Sequence, residues 1–135
     1  MALVLLDTSA LFAGIDADDP NYASAHRYFA KQSNTYLVAD TIFSEAATLI
    51  RHRLGVGLAV GVGTAILAGD PFRLHRLTVE EAEESWRIFC RFTDKDWSYA
   101  DCSLLALSQH LQIGEVFAFD RHFDQMAALG LRRVP

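Results

Sequence analysis

Cysteine is scarce in this chain: Cys90 and Cys102 are the two in 135 residues. That shortage excludes a disulfide framework and a thiolate zinc cluster. Both fall in predicted helices and read as small, reduced, buried side chains. Long apolar runs are missing too. The longest stretch that invites a membrane reading, Leu54 to Gly69, carries five glycines and falls short of the ~20 residues needed to cross a bilayer. No basic residues precede the apolar N-terminal run and no small-residue cleavage site follows it, so a signal peptide is not expected and a cytoplasmic location is. Lysine is nearly absent, since ten of the twelve basic residues are Arg, and the net charge is −5. The arginines stand in short groups (Arg51 and Arg53, Arg73 and Arg76, Arg87 and Arg91, Arg132 and Arg133). Their planar forks suit phosphate contact. No basic run is dense enough to form a nucleic-acid stripe by itself.

What is present suits one compact domain over residues 1–135: 51% hydrophobic and 21% charged residues, with no linker, internal repeat or low-complexity segment. Leu3-Val4-Leu5-Leu6 is a continuous apolar run that ends on Asp7. Unbroken hydrophobicity without alternation marks a strand buried on both faces, the habit of a central parallel strand. A short helix is expected around Ser9 to Ala13. A helix from Asn21 to Lys31 is expected to turn Tyr22, Ala25, Phe29 and Ala30 inward. Tyr36 to Ala39 reads as a strand, and Thr41 to Leu54 as a helix with Glu45 in its first turn. Gly55 to Gly69 keeps a helical apolar pattern, although each interior glycine costs ~1 kcal/mol relative to alanine, so that helix requires tertiary or partner packing. Phe72 to Leu77 alternates like an edge strand. Thr78-Val79-Glu80-Glu81 is a capping box opening a helix to about Phe92, and Ser98-Tyr99-Ala100-Asp101 repeats that logic for a helix with Leu104, Leu105, Leu107 and Leu111 as its buried stripe. Glu115 to Phe119 is a strand ending on Asp120, followed by a helix from Arg121 to Leu129, closed by Gly130, and a last strand near Leu131 to Val134. This alternation predicts an α/β fold with a mainly parallel sheet.

Ligands of open α/β sheets bind outside the carboxyl ends of the strands. Asp7 and Asp120 end strands there, and Glu45 and Asp101 lie in early helical turns. Each acid alone has a structural reading: Asp7 serves equally as an N-cap, and acids near helix N-termini are stabilised by roughly 0.3 to 1 kcal/mol. Four converging carboxylates repel one another and raise each other's pKa, and a divalent cation is the usual remedy. No His or Cys stands at ligand spacing among them. An all-oxygen donor set favours Mg²⁺ or Mn²⁺ over zinc.

Four ordered pieces carry a resemblance: Leu-Asp-Thr-Ser-Ala-Leu (6–11), Ser-Glu (44–45), Asp-Lys-Asp-Trp-Ser-Tyr-Ala-Asp-Cys-Ser (94–103) and Phe-Asp-Arg-His-Phe (119–123). Together, over nearly the whole chain, they resemble the PIN-domain nucleases, and among these the VapC-type ribonuclease toxins of toxin–antitoxin systems. The resemblance implies a three-layer α/β/α fold. It implies that Asp7, Glu45, Asp101 and Asp120 form an acidic Mg²⁺ or Mn²⁺ site, with Asp7 and Asp101 as direct ligands and Thr8, Ser9 and Ser98 in support. It also implies cleavage of single-stranded RNA by a metal-activated water, a cognate antitoxin and a homodimer. The Gly-rich apolar segment 55–69 is the local support for a protein partner. The family commonly carries Thr or Ser two residues before the last acid, and here that position is Ala118. This departure removes one hydroxyl that would steady Asp120.

Two other classes share parts of the pattern. A phosphatase with Asp7 as covalent nucleophile usually needs a second Asp two positions on, where this chain has Ser9. A non-catalytic PIN-like RNA-binding module would keep the fold and lose the metal, yet all four acids are present.

Overall fold

The computed structural model describes residues 2–31 and 33–135. Five strands form one sheet: β1 (Ala2–Leu6), β2 (Asn34–Ala39), β3 (Phe72–His75), β4 (Glu115–Phe117) and β5 (Arg132–Val134). Every pairing is parallel and the order is β3-β2-β1-β4-β5. The apolar run lies at the centre. Val4, Leu5 and Leu6 are fully buried, as a strand with neighbours on both edges and layers on both faces requires.

The helices are α1 (Thr8–Ile15), α2 (Tyr22–Phe29), α3 (Asp40–Leu54), α4 (Val56–Ala68), α5 (Val79–Arg91), α6 (Tyr99–Leu111) and a 3-10 helix (Arg121–Leu129). From β1 the chain walks outward through β2 to β3, then returns across the sheet to β4 on the other side of β1. Helices α1 to α4 of the outward walk pack on one another and α5 packs on α6 of the return, the two groups that right-handed crossovers put on opposite faces of a parallel sheet. The result is three layers with a topological switch between β1 and β4. There the Asp7 N–H donates to the Phe117 carbonyl at 3.0 Å.

Both expected capping boxes are formed, Thr78 with Glu81 on α5 and Ser98 with Asp101 on α6. Several local expectations are corrected. Helix α2 buries Ala25 and Tyr28, while Ala30 lies beyond its end and is exposed. Helix α6 has no single buried stripe: Ala100 through Ser108 are all buried and Leu111 is exposed. Its position in the return layer, covered by α5 on one side, accounts for the burial. Its serines are satisfied internally, with the Ser103 hydroxyl donating to the Ala100 carbonyl at 2.6 Å and the Ser108 hydroxyl to the Ile113 carbonyl at 2.6 Å. Cys102 is buried as expected, but Cys90 is exposed.

The Gly-rich segment is helical as α4. It buries Ala59 and Ile66 and leaves Val56, Leu58, Val60 and Leu67 exposed. Among the described residues no helix is long and apolar enough to cross a membrane.

Candidate active site

Asp7 directly follows the central strand β1, where the chain turns into α1. Its side chain caps that helix, with Oδ2 accepting from the Ser9 N–H at 3.1 Å and from the Ser9 hydroxyl at 2.5 Å. The carboxylate is buried. Burial pushes its pKa up from 3.8 to about 7, against the lowering effect of the Ser9 hydrogen bonds and with further raising by the charges of Asp101 and Glu45.

Ser9 does more than hold Asp7. Its Oγ also accepts the backbone N–H of Phe119 at 2.9 Å and of Asp120 at 3.3 Å. The hydroxyl therefore fastens the end of β1 to the segment leaving β4. Thr8 reaches in another direction and donates to Glu45 Oε1 at 2.5 Å. Glu45 is not in the first turn of its helix: α3 begins at Asp40, so Glu45 is its sixth residue and lies in the second turn.

Asp101 is the third residue of α6, buried, with Oδ2 accepting the Ser98 N–H at 3.0 Å while the Ser98 hydroxyl accepts the Asp101 N–H at 3.0 Å. Desolvation raises its pKa. Hydrogen bonds from Ser98 and His122 oppose that rise, and the charge of Asp120 adds to it. Asp120 does not end the strand itself, since β4 stops at Phe117. It caps the 3-10 helix, Oδ1 accepting the His122 N–H at 2.9 Å. The two segments carrying Asp101 and Asp120 are joined by Trp97. Its ring packs on Phe92 at 4.9 Å between centroids, and its Nε1–H donates to Gln125 Oε1 at 2.8 Å.

These residues line a single cavity of about 300 Å³: Asp7, Thr8, Ser9, Glu45, Leu49, Ser98, Asp101, Asp120 and His122. All seven residues singled out from sequence are in that lining. His122 is the one polar member that sequence reasoning missed. Its Nδ1 is 3.1 Å from Asp101 Oδ2 and 3.3 Å from Asp120 Oδ1. The signal was within the quoted Phe-Asp-Arg-His-Phe stretch, where His122 follows a capping Asp by two residues and so falls in the first turn beyond it.

A three-layer parallel fold with four acids at its switch point defines a class, and the chain belongs to it: the PIN domain family model matches residues 4–129. Among relatives, the chain is 27% identical over 128 residues to Ribonuclease VapC26 of Mycobacterium tuberculosis, covering 94% of each protein. It is 25% identical over 130 residues to the 23S rRNA-specific endonuclease VapC20 of the same species, covering 96% of this chain and 98% of that protein. The fold matches the crystal structure of Mycobacterium tuberculosis VapC20, described as a sarcin-ricin loop cleaving toxin, with a TM-score of 0.86, 24% identity and coverage of 97% and 98%. It also matches DNA-bound VapBC from Salmonella typhimurium with a TM-score of 0.71 at 14% identity, covering 99% of this chain and 98% of that one.

Proposed function

We propose that the chain is a single-domain endoribonuclease over residues 1–135 that hydrolyses single-stranded RNA with Mg²⁺ or Mn²⁺, and that it is the toxin of a toxin–antitoxin pair. The observation that carries this reading is the convergence of Asp7, Glu45, Asp101 and Asp120, from four separate segments, on one cavity. Such crowding of acids is unfavourable unless a cation is to be held there. The names of the VapC26 and VapC20 relatives point the same way.

The donors fit a hard divalent cation by kind, being carboxylate and hydroxyl oxygens. Among the described residues no group of three or more His, Cys, Asp or Glu side chains is placed to hold a metal ion as the side chains stand. Asp7, Glu45 and Asp101 are instead held by Ser9, Thr8 and Ser98. Asp7 and Asp101 would be the direct ligands, with Glu45 and Asp120 beside them. When bound, the cation supplies charge neutralisation at a phosphodiester and a water of lowered pKa. The chain's own part is positional. Ser9 fixes the Asp7 carboxylate, Thr8 sets the reach of Glu45, and Ser98 aims Asp101 into the cavity from a capped helix end.

The antitoxin reading rests on α4. Its exposed Leu58 lines an apolar groove of about 430 Å³ with Leu11, Phe29, Val62 and Phe72, its exposed Val56, Val60 and Leu67 line a second groove with Phe43, and solved structures of the same fold include VapBC complexes. A homodimer accompanies the same resemblance, and sedimentation equilibrium checks it. The test of the activity is cleavage of a single-stranded RNA by the purified chain with Mg²⁺ or Mn²⁺, lost in Asp7→Asn. Cleavage that persists in excess chelator overturns the metal-dependent reading.

A further inference from the structure

The ring of His122 touches two of the four acids through one nitrogen. Nδ1 is 3.1 Å from Asp101 Oδ2 on α6 and 3.3 Å from Asp120 Oδ1 ahead of the 3-10 helix. An ionised carboxylate only accepts hydrogen bonds, so whichever charge the ring carries, Nδ1 is the protonated nitrogen in this arrangement. That single N–H is hydrogen-bonded to Asp101 and stands within ion-pair distance of Asp120, two like charges on two different elements. Without a donor between them, Asp101 and Asp120 repel.

The dependence is sharper for Asp120. Ala118, where a hydroxyl would be expected to steady it, is fully enclosed and offers only its backbone N–H, which is taken by the Val134 carbonyl at 3.1 Å. The Ser9 hydroxyl receives the Asp120 N–H and so holds the backbone of that residue. The Asp120 carboxylate itself takes its contacts from residue 122, the backbone N–H at 2.9 Å and the ring. Asp101 has the Ser98 N–H in addition. We propose that His122 is the positioning residue of the acidic site, its Nδ1–H setting the separation of the Asp101 and Asp120 carboxylates in place of the hydroxyl that position 118 lacks. With that donor gone, the partly exposed Asp120 side chain is free to swing toward solvent and the site keeps fewer donors at bonding range.

This inference rests on the proposed divalent-cation site, and its test separates the two. Mn²⁺ binding is measured by calorimetry, without RNA, on the full chain and on His122→Ala, His122→Asn and Asp120→Asn. Asparagine places an amide N–H close to where Nδ1 stands, whereas alanine removes the donor. The expected result is a loss of about 10- to 100-fold in Mn²⁺ affinity for His122→Ala, the range for an outer partner of a metal ligand, with His122→Asn within a few-fold of the parent chain. Adding His122→Ala to Asp120→Asn should cost less than it does alone, because part of its effect passes through Asp120. Parent-like affinity in His122→Ala overturns the proposal while leaving the metal site standing, and so does equal loss in the alanine and asparagine variants. A parent chain that binds no Mn²⁺ overturns the metal reading and the positioning role together.

Discussion

The Thr8 hydroxyl donates to Glu45 Oε1 across 2.5 Å, tying the first turn of α1 to the second turn of α3. Thr8 is buried and Glu45 is exposed, so a long acidic side chain on an open helix face is anchored by a short one fixed in the core. Thr8→Val keeps the shape and removes the donor. The expected outcome is a loss of ~1 kcal/mol in urea denaturation with RNA cleavage reduced about 10-fold or more. Unchanged cleavage would show that Glu45 needs no anchor.

Asp7 makes the metal-free protein sensitive to pH in an unusual direction. Its folded pKa, about 7, lies above the ordinary 3.8, so between those values the folded chain holds a proton that the unfolded chain has lost. Stability from this group is therefore full below pH ~4 and declines as pH rises toward ~7. In chelator at pH 8, Asp7→Asn should melt higher than the parent chain, by on the order of 1–4 kcal/mol. The same variant should gain nothing from Mn²⁺. For the parent, Mn²⁺ at ~100 times its dissociation constant adds ~2.7 kcal/mol, and its affinity rises between pH 5 and 7.5 because binding displaces the proton. A parent chain whose melting is flat over this range contradicts the assignment.

Glu81 shows the opposite sign. It is buried at the start of α5, with Oε1 accepting the Thr78 N–H at 2.9 Å and pairing with His75 Nε2 at 2.8 Å, and Oε2 meeting His110 Nδ1 at 2.5 Å. Burial by itself raises its pKa, but the hydrogen bonds from Thr78, His75 and His110 outweigh that and lower it to about 2. The stabilisation is complete above pH ~4.5 and is lost as pH falls toward 2. Glu81→Gln should cost about 1.5–3 kcal/mol at pH 7, and the difference from the parent should shrink between pH 4.5 and 2. A gap that stays constant with pH would place the loss in packing instead of charge.

Ser98→Ala separates capping from site geometry. The hydroxyl accepts the Asp101 N–H, whereas the bond that aims the Asp101 carboxylate comes from the Ser98 backbone. The variant should lose about 1 kcal/mol of stability and keep Mn²⁺ affinity within a few-fold. A larger loss of affinity would mean that the hydroxyl itself contributes to the site.

Much of this was legible in the sequence because local chemistry determined it. The unbroken Leu3 to Leu6 run calls for burial on both sides, which Val4, Leu5 and Leu6 have while Leu3, near the start of the strand, is exposed, and the two capping boxes announce helix starts that the structure forms at Thr78 and Ser98. Other features depend on tertiary contacts. Helix α3 starts one residue early, at Asp40, whose Oδ2 accepts the Leu77 N–H at 3.3 Å over a link of 37 residues, and Glu45 falls in the second turn from either start. All-round burial of α6 arises from its layer, and no helical period records that. His122 enters the site by bridging acids on two elements, a relationship absent from any window of sequence. Ala118 was visible as a missing hydroxyl, but the sequence did not show that the Ser9 hydroxyl would reach the backbone beside it.

The switch between β1 and β4 also has a consequence in time. β1 pairs with β4 through Leu5 opposite Val116 and Leu6 opposite Phe117, so the edge on which Asp7 stands is incomplete until the final fifth of the chain has been made. During synthesis at roughly 5–20 residues per second, Asp7 and Glu45 emerge from the ribosome well before Asp120 and His122. The closing contact spans more than a hundred residues, the class of contact that is late and slow to form. A chain grown only as far as Glu45 therefore carries two of the four acids before the strand that completes their edge exists.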